Sequence, residues 1–185
     1  SITAIDKGKS VDTSMGFTPV AGLVMGTRCG DLDTGALLYI CDKKGYTSLD
    51  AVRLTNKESG VFGISGVSSD FRELTSAADA GNYRAELALD VFCYNVKKYI
   101  GAYAAVLNGV DLIIFTGGIG ENDERVRNSV CTGLEYLGVE FDEAVNLKAR
   151  GVDRILSTPH SKTFVMTITT DEELVIATDT LNLVK

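Results

Sequence analysis

Residues 110–122 read Val-Asp-Leu-Ile-Ile-Phe-Thr-Gly-Gly-Ile-Gly-Glu-Asn, an apolar run that passes directly into a glycine-rich segment. A short, nearly continuous apolar run of this kind is typical of a buried strand. Further along, apolar residues recur at helical spacing on one face, namely Val126, Val130, Leu134 and Leu137. Gly138 is predicted to end that helix. The stretch therefore predicts a strand, a glycine-rich turn and a helix, as in an α/β fold.

The rest of the chain alternates between strands and helices in the same way. Strands are predicted at 1–5, 9–13, 154–156 and 163–169, the first two being joined by a hairpin turn at Asp6-Lys7-Gly8. Helices are predicted at 34–44, 48–58, 70–80, 83–108 and 171–184. Gly45 is expected to end the first helix, and Gly60 to close the second with a left-handed cap. Residues 60–69 and most of 147–162 show no periodicity and are predicted to be loops.

Length and cysteine usage limit the class of protein. The 185 residues suffice for one core-bearing domain, and no stretch approaches the ~20 apolar residues that span a bilayer. The four cysteines are scattered without a Cys-x-x-Cys pair, and His160 is the single histidine. We therefore predict neither a zinc site nor a disulfide framework, but reduced thiols in a cytoplasmic protein outside the membrane. His160, in an irregular segment, is predicted to be an ordinary surface residue.

The net charge of −7 argues against nucleic acid as a partner, because such binding needs a basic footprint. The same charge would also repel small anionic substrates. An enzyme acting on them has to gather cations locally, through arginines and a divalent metal. Arg28 and Arg72 are the local candidates.

The glycine-rich segment is a candidate phosphate site, because exposed backbone and a helix N-terminus attract anions. Its Gly-x-Gly-x-x-Asp pattern lacks the third glycine of the dinucleotide fingerprint, and no Lys-Ser or Lys-Thr follows as in a P-loop. The pattern argues against a nicotinamide-binding domain. By itself it leaves nucleotide binding and a plain tight turn equally open.

Other candidate residues also have purely structural interpretations. Asp70, with Glu73 three residues on, reads as a helix N-cap, followed by Phe71 as a core anchor and Arg72 as a solvated residue. Arg28 reads as part of a turn with an internal ion pair. A calcium loop at Asp31-x-Asp33 is rejected, because Gly35 stands where the third oxygen ligand is needed. Thr170 and Glu173 fit a capping box, which leaves Glu172 without a structural role.

Five segments taken together resemble the signature of the acetate kinase family: Asp12-Thr13-Ser14-Met15-Gly16-Phe17-Thr18-Pro19, Gly26-Thr27-Arg28-Cys29-Gly30-Asp31, Ser68-Ser69-Asp70-Phe71-Arg72, Phe115-Thr116-Gly117-Gly118-Ile119-Gly120-Glu121-Asn122 and Thr170-Asp171-Glu172-Glu173-Leu174. The resemblance implies an actin-like ATPase fold with a ribonuclease H-like core, in which two α/β domains close on ATP. Residues 1–185 would be the C-terminal nucleotide-binding domain, without the N-terminal half and its first strand. We therefore expect that this chain alone does not build a complete five-stranded sheet.

The resemblance also assigns roles to individual residues. Arg28 would steady the transferring phosphoryl group. Two sets would bind the nucleotide: Asp70, Phe71 and Arg72 at the adenine and ribose, and Gly118, Ile119, Gly120, Glu121 and Asn122 along the adenosine and its phosphates. Glu172 would hold Mg²⁺ or Mn²⁺, although Asp171 replaces the asparagine usual in the family.

The implied reaction is reversible phosphoryl transfer from ATP to acetate, giving acetyl phosphate and ADP. The resemblance places the acetate-binding arginine and the catalytic aspartate in the N-terminal half, so this chain alone is expected to be inactive. That half and a second copy in a homodimer are the expected partners. The alternatives are a propionate kinase and a nucleotide-binding or dimerisation module without turnover.

Overall fold

The computed structural model describes residues 1–184, which fall into two compact units, 1–110 and 111–184. The first unit contains β1 (Thr3–Asp6), β2 (Lys9–Thr13), α1 (Thr34–Lys44), α2 (Ser48–Lys57), α3 (Gly60–Ser65), α4 (Phe71–Asp79) and α5 (Tyr83–Val106). The second contains β3 (Leu112–Phe115), α6 (Gly117–Asn122), α7 (Glu124–Cys131), a 3₁₀ helix (Glu135–Leu137), α8 (Glu143–Asn146), β4 (Arg154–Ile155), β5 (Phe164–Thr167) and α9 (Glu172–Val184). None of the helices in 1–184 is long and apolar enough to cross a membrane.

The first unit opens with the predicted hairpin. β1 and β2 pair antiparallel, from Thr3 opposite Thr13 to Asp6 opposite Lys9. The turn residues Lys7 and Gly8 both have positive φ, +49° and +78°. Two consecutive left-handed residues match the twist of the flanking strands, which is why a tight turn joins them.

The core of the first unit lies where α5 packs against α3 and α4. Leu89, Phe92 and Ile100 of α5 are buried there. The Phe92 ring meets Phe71 of α4 edge to face, with 4.7 Å between ring centroids. The Asn82 side chain starts α5 by accepting hydrogen bonds from two backbone N–H groups. α5 ends at Val106, two residues before the predicted end.

One loop prediction in the first unit is wrong. Residues 60–65 form α3, and Gly60 (φ +66°) begins this helix instead of closing α2. The backbone N–H groups of Val61 and Phe62 donate to the carbonyls of Met25 and Gly26. A six-residue helix that is held by contacts to a distant loop shows too little periodicity to be detected in sequence.

The sheet of the second unit has the order β3-β5-β4. β3 runs parallel to β5, and β4 pairs antiparallel with β5. β3 was predicted to be buried, but Leu112 and Ile114 are 42% and 44% exposed. The prediction fails because Leu112 and Ile114 share one face of the sheet that is left open, where their neighbour Phe164 on the central strand β5 is also 42% exposed. Strands within 1–184 form one sheet of two and one sheet of three.

The helix predicted to run to Gly138 is shorter. α7 ends at Cys131, and a 3₁₀ helix follows before Gly138, whose φ is +84°. Val126, Val130 and Leu134 are nevertheless buried, as their spacing indicated. The apolar spacing predicted the buried residues correctly, but it did not indicate that the helix ends at Cys131.

Candidate active site

Arg28 lies on a loop, residues 22–31, that is closed at its base by one aspartate. The backbone N–H of Asp31 donates to the Gly22 carbonyl, and the Gly22 N–H donates to Asp31 Oδ1, both at 2.9 Å. The Tyr99 hydroxyl of α5 donates to Asp31 Oδ2 at 2.6 Å. This hydrogen bond raises the pKa of Tyr99 to about 12, because the phenol loses its acceptor contact when it ionises. Asp31 therefore fastens both ends of the loop to α5.

The same loop is tied to α2 and α3 along its length. Cys29 N–H donates to the Thr55 carbonyl at 2.9 Å, and the Thr27 hydroxyl donates to the Asn56 carbonyl at 2.8 Å. Gly30 has φ +71°, and a Cβ there would lie 2.7 Å from the Gly22 carbonyl oxygen. The close packing permits only glycine at this position, and it makes the loop a rigid support for Arg28.

The Arg28 side chain is half-buried, and its Nη1 lies 3.5 Å from Met25 Sδ. Within residues 1–184 no carboxylate forms a salt bridge with it. The structural alternative of an internal ion pair is therefore wrong. Asp31 is engaged as described above, and Asp33 accepts from Ala36 N–H to cap α1. Most of the five guanidinium donors remain available for an anion.

Asp70 and Arg72 form a two-point ion pair at the start of α4. Asp70 Oδ1 accepts from the Arg72 backbone N–H at 2.9 Å, and the carboxylate also accepts from Arg72 Nε and Nη2 at 3.0 and 2.5 Å. These bonds to Arg72 lower the pKa of Asp70 to about 2. The N-cap prediction is confirmed, although Ser68 Oγ, and not Glu73, accepts from the Asp70 N–H. Phe71 is 7% exposed, so its ring belongs to the core.

The ion pair borders an open groove of about 560 Å³ on α4, lined by Asp70, Arg72, Glu73, Ser76, Ala77 and Ala80. The volume falls in the range of small-molecule sites. The Arg72 side chain is 82% exposed at the groove. The first unit thus brings Asp70 and Arg72 to one surface and buries Phe71 behind them.

The glycine-rich segment forms a short helix, α6, and not a turn as predicted. Gly117 starts it with φ +70°, and the Asn122 side chain donates to the Gly118 carbonyl at 3.0 Å. No atom lies within 4 Å of where a Cβ on Gly118 would stand, whereas a Cβ on Gly120 would come 3.1 Å from Phe115. Gly118 therefore offers open backbone to a ligand, and Gly120 packs closely against Phe115 of β3.

Arg127 of α7 donates a hydrogen bond to α6, a role that was not identified from the sequence. Its guanidinium is fully buried, and it donates to Gly120 O, Asn146 Oδ1, Asn146 O and Ala149 O at 2.6 to 3.2 Å. Desolvation in this site lowers the pKa of Arg127. The only sign in the sequence is that Arg127 directly follows Val126, which belongs to the apolar face of α7. Its partners are brought together by the fold.

The segment before α9 differs from the predicted capping box. Thr170 does not cap the helix; its N–H and its hydroxyl both donate to Glu121 Oε1 at 3.0 Å. Asp171 caps α9 instead, because its Oδ1 accepts from Leu174 N–H at 2.9 Å. Glu172 is left exposed in the first turn, as the sequence indicated.

The donor set at Glu172 suits magnesium. No group of three or more His, Cys, Asp or Glu residues able to hold a metal occurs in residues 1–184. Magnesium keeps several waters and takes only one or two protein carboxylates together with phosphate oxygens. One exposed carboxylate meets that requirement. His160 is exposed, as predicted.

Comparisons with known proteins identify the family of this chain. The sequence profile of the acetokinase family matches residues 1–178. The acetate kinases of Heliobacterium modesticaldum and Bacteroides thetaiotaomicron are 58% and 55% identical over 185 residues, which is 100% of this chain and 46% of each relative. This chain therefore spans about half the length of the curated relatives that it matches.

Solved structures show the same relationship. The crystal structure of Porphyromonas gingivalis acetate kinase superposes with a TM-score of 0.94 at 49% identity, covering 99% of this chain and 46% of that one. A propionate kinase from Francisella tularensis gives 0.87 at 39% identity, covering 95% and 44%. The mixed α/β structure fits a domain portion of the actin-like ATPase fold, as the sequence predicted. The chain is a member of the acetokinase family.

Proposed function

We propose that this chain, residues 1–185, is the C-terminal nucleotide-binding domain of a kinase that transfers the γ-phosphoryl group of ATP to acetate, giving acetyl phosphate and ADP reversibly. Family membership supports the reaction class. The observation that carries the proposal is the Arg28 guanidinium, held on a rigid loop without a carboxylate partner in the described chain. Such a preorganised cation stabilises the charge that develops on a phosphoryl group during its transfer.

The other candidate residues have a proposed role within each unit separately. Asp70 and Arg72 border the groove that would take the adenine and ribose, with Phe71 as its buried support. The α6 segment, including Gly118, Ile119, Gly120 and Asn122, would lie along the adenosine and its phosphates. Glu172 would hold the Mg²⁺ that accompanies ATP, and Mn²⁺ is an acceptable replacement. The metal, when bound, neutralises phosphate charge.

We also propose that the remaining catalytic groups come from a segment equivalent to the other half of the relatives, so that this chain alone does not turn over. Exposed apolar side chains support a protein partner. α9 exposes Leu174, Val175 and Ile176, and α1 and α2 contain no buried residue. The partners would be that other half and a second copy of the same protein, acting in the cytoplasm on ATP and acetate.

A propionate kinase is the second candidate function, because the Francisella structure that resembles this chain is a propionate kinase. The two functions share every role assigned above and differ only in the acyl group. Comparison of acetate with propionate as the acceptor decides between them.

A chimera tests the proposal directly. The 185 residues of this chain would replace the matched stretch of the Heliobacterium relative, and acyl phosphate formed from ATP, Mg²⁺ and acetate would be trapped as hydroxamate. We expect an active chimera that loses about 10³-fold in kcat or more with Arg28→Ala. Arg53→Ala is the matched control, because Arg53 forms only exposed ion pairs of small energy. Equal activities of the two variants would refute the role of Arg28.

A further inference from the structure

One carboxylate oxygen joins the two halves of the candidate site in the second unit. Glu121 Oε1 accepts three hydrogen bonds, from Gly117 N–H at 2.8 Å and from the N–H and the hydroxyl of Thr170 at 3.0 Å each. Gly117 is the first residue of α6, and Thr170 lies two residues before Glu172. Glu121 thus connects segments that are 49 residues apart in sequence.

This arrangement occupies one of the two carboxylate oxygens of Glu121. A carboxylate oxygen has about two lone-pair sites, so three donors saturate Oε1. Only Oε2 is left for any other partner. A negative charge is also a poor neighbour for nucleotide phosphates, unless its function is to hold donors in place.

Thr169, the residue before Thr170, is held in a similar manner. Asp153 Oδ1 accepts from the N–H and the hydroxyl of Thr169 at 2.8 and 2.9 Å. The bonds from Thr169 lower the pKa of Asp153. Two adjacent threonines are therefore each fixed by a separate carboxylate, and only the Glu121 contact reaches α6.

We propose that Glu121 is a positioning residue that fastens the nucleotide segment, α6, to the segment that carries the metal carboxylate Glu172. The inference rests on the proposed function. The nucleotide phosphates and Mg²⁺ would then be bound in a fixed mutual geometry, so that binding of one favours binding of the other. Glu121 would act through Thr170 and not by touching the nucleotide, unlike the contact role that the family resemblance implied.

The test measures the coupling between Mg²⁺ and ADP in the chimera. Titration calorimetry gives the ADP dissociation constant with and without Mg²⁺, and the ratio of the two is the coupling factor. We expect Glu121→Ala to reduce this factor about tenfold, within the range usual for coupled sites. Glu121→Gln keeps an oxygen acceptor and should retain most of the coupling.

Other roles give other results. A direct contact between Glu121 and the nucleotide would weaken ADP binding equally with and without Mg²⁺, leaving the factor unchanged. A purely structural role would lower the melting temperature at an unchanged factor. Either outcome overturns the inference. Glu124→Ala is the matched control, because it removes the same charge from an exposed site at the start of α7.

Thr170→Val provides a second route if Glu121→Ala fails to fold. It removes one of the three donors and should lower the coupling factor less than Glu121→Ala, and the double variant should be no worse than Glu121→Ala. Additive effects would contradict a shared hydrogen-bond network. Absence of both ADP binding and acyl phosphate in the folded parent chimera would refute the proposed function. An active parent with unchanged coupling in Glu121→Ala and Thr170→Val would refute the inference alone.

Discussion

Replacing Arg127 by methionine tests whether the buried guanidinium holds the second unit together. Methionine keeps an unbranched apolar stem but removes every donor. Four acceptors would lose the hydrogen bond from Arg127: Gly120 O, Asn146 Oδ1, Asn146 O and Ala149 O. Because Arg127 is fully buried, water does not readily replace those bonds.

The size of the effect follows from two opposing terms. Hydrogen bonds to a charged group contribute about 1.5–3 kcal/mol each, so four sum to about 6–12 kcal/mol. Desolvation of a buried ion costs several kcal/mol, which the methionine variant no longer incurs. The net loss expected for Arg127→Met is about 3–5 kcal/mol, comparable to breaking a buried charged pair. This is a large fraction of the about 5–15 kcal/mol by which a domain is usually stable.

This loss is measured by urea unfolding. Far-UV circular dichroism is the suitable signal, because the chain contains no tryptophan that would serve as a fluorescence probe. Arg150→Met is the matched control, because Arg150 is exposed and its replacement should change stability by less than about 0.5 kcal/mol. Arg127→Lys keeps the charge but not the planar array of donors, and it should fall between the two. A difference between Arg127→Met and Arg150→Met below about 1 kcal/mol would refute the reasoning.

Three further predictions concern the first unit. The hydrogen bond to Asp31 raises the pKa of Tyr99 to about 12, so its contribution to stability should be complete below pH 10 and should be lost between pH 10 and 12. In urea unfolding measured at several pH values, Tyr99→Phe should remove this fall in stability between pH 10 and 12. Arg72→Leu should raise the pKa of Asp70 from about 2 toward 3.8 in a carboxyl NMR titration, and it should reduce the stability that the wild type loses as the pH falls through that interval, while the N-cap bond from the backbone N–H of residue 72 remains. Gly30→Ala should destabilise the chain far more than Gly45→Ala in denaturant: both glycines have positive φ, +71° and +64°, but only at Gly30 would a Cβ clash with backbone.

Much of the secondary structure was predictable because its signals are local. α1 has the predicted bounds, since Gly45 ends it in the left-handed conformation. The hairpin turn at Lys7 and Gly8 and the N-cap at Asp70 were likewise found from a few neighbouring residues. Nearby residues determine caps and turns, so sequence alone suffices for them.

The features that sequence analysis missed depend on distant contacts. The exposure of Leu112 and Ile114 follows from the open face of the sheet that they share with Phe164, which no local pattern encodes. Arg127 donates to the side chain of Asn146, which is 19 residues away in sequence, and Glu121 accepts from Thr170, which is 49 residues away. A charged residue beside an apolar face gives no sign of such partners. Only the assembled fold shows that Glu121 and Thr170 bind each other.

We propose that this chain supplies the nucleotide half of an acetate kinase site. The most direct measurement is hydroxamate trapping from ATP, Mg²⁺ and acetate with this chain alone, with the separately produced N-terminal half of the Heliobacterium relative, and with both together. We predict product only from the mixture, because the proposed roles of Arg28 and Glu172 lie in this chain, whereas the family resemblance implies that the acetate-binding arginine and the catalytic aspartate lie in the other half. Product from this chain alone, or none from a mixture whose halves are folded and associated, would contradict the account.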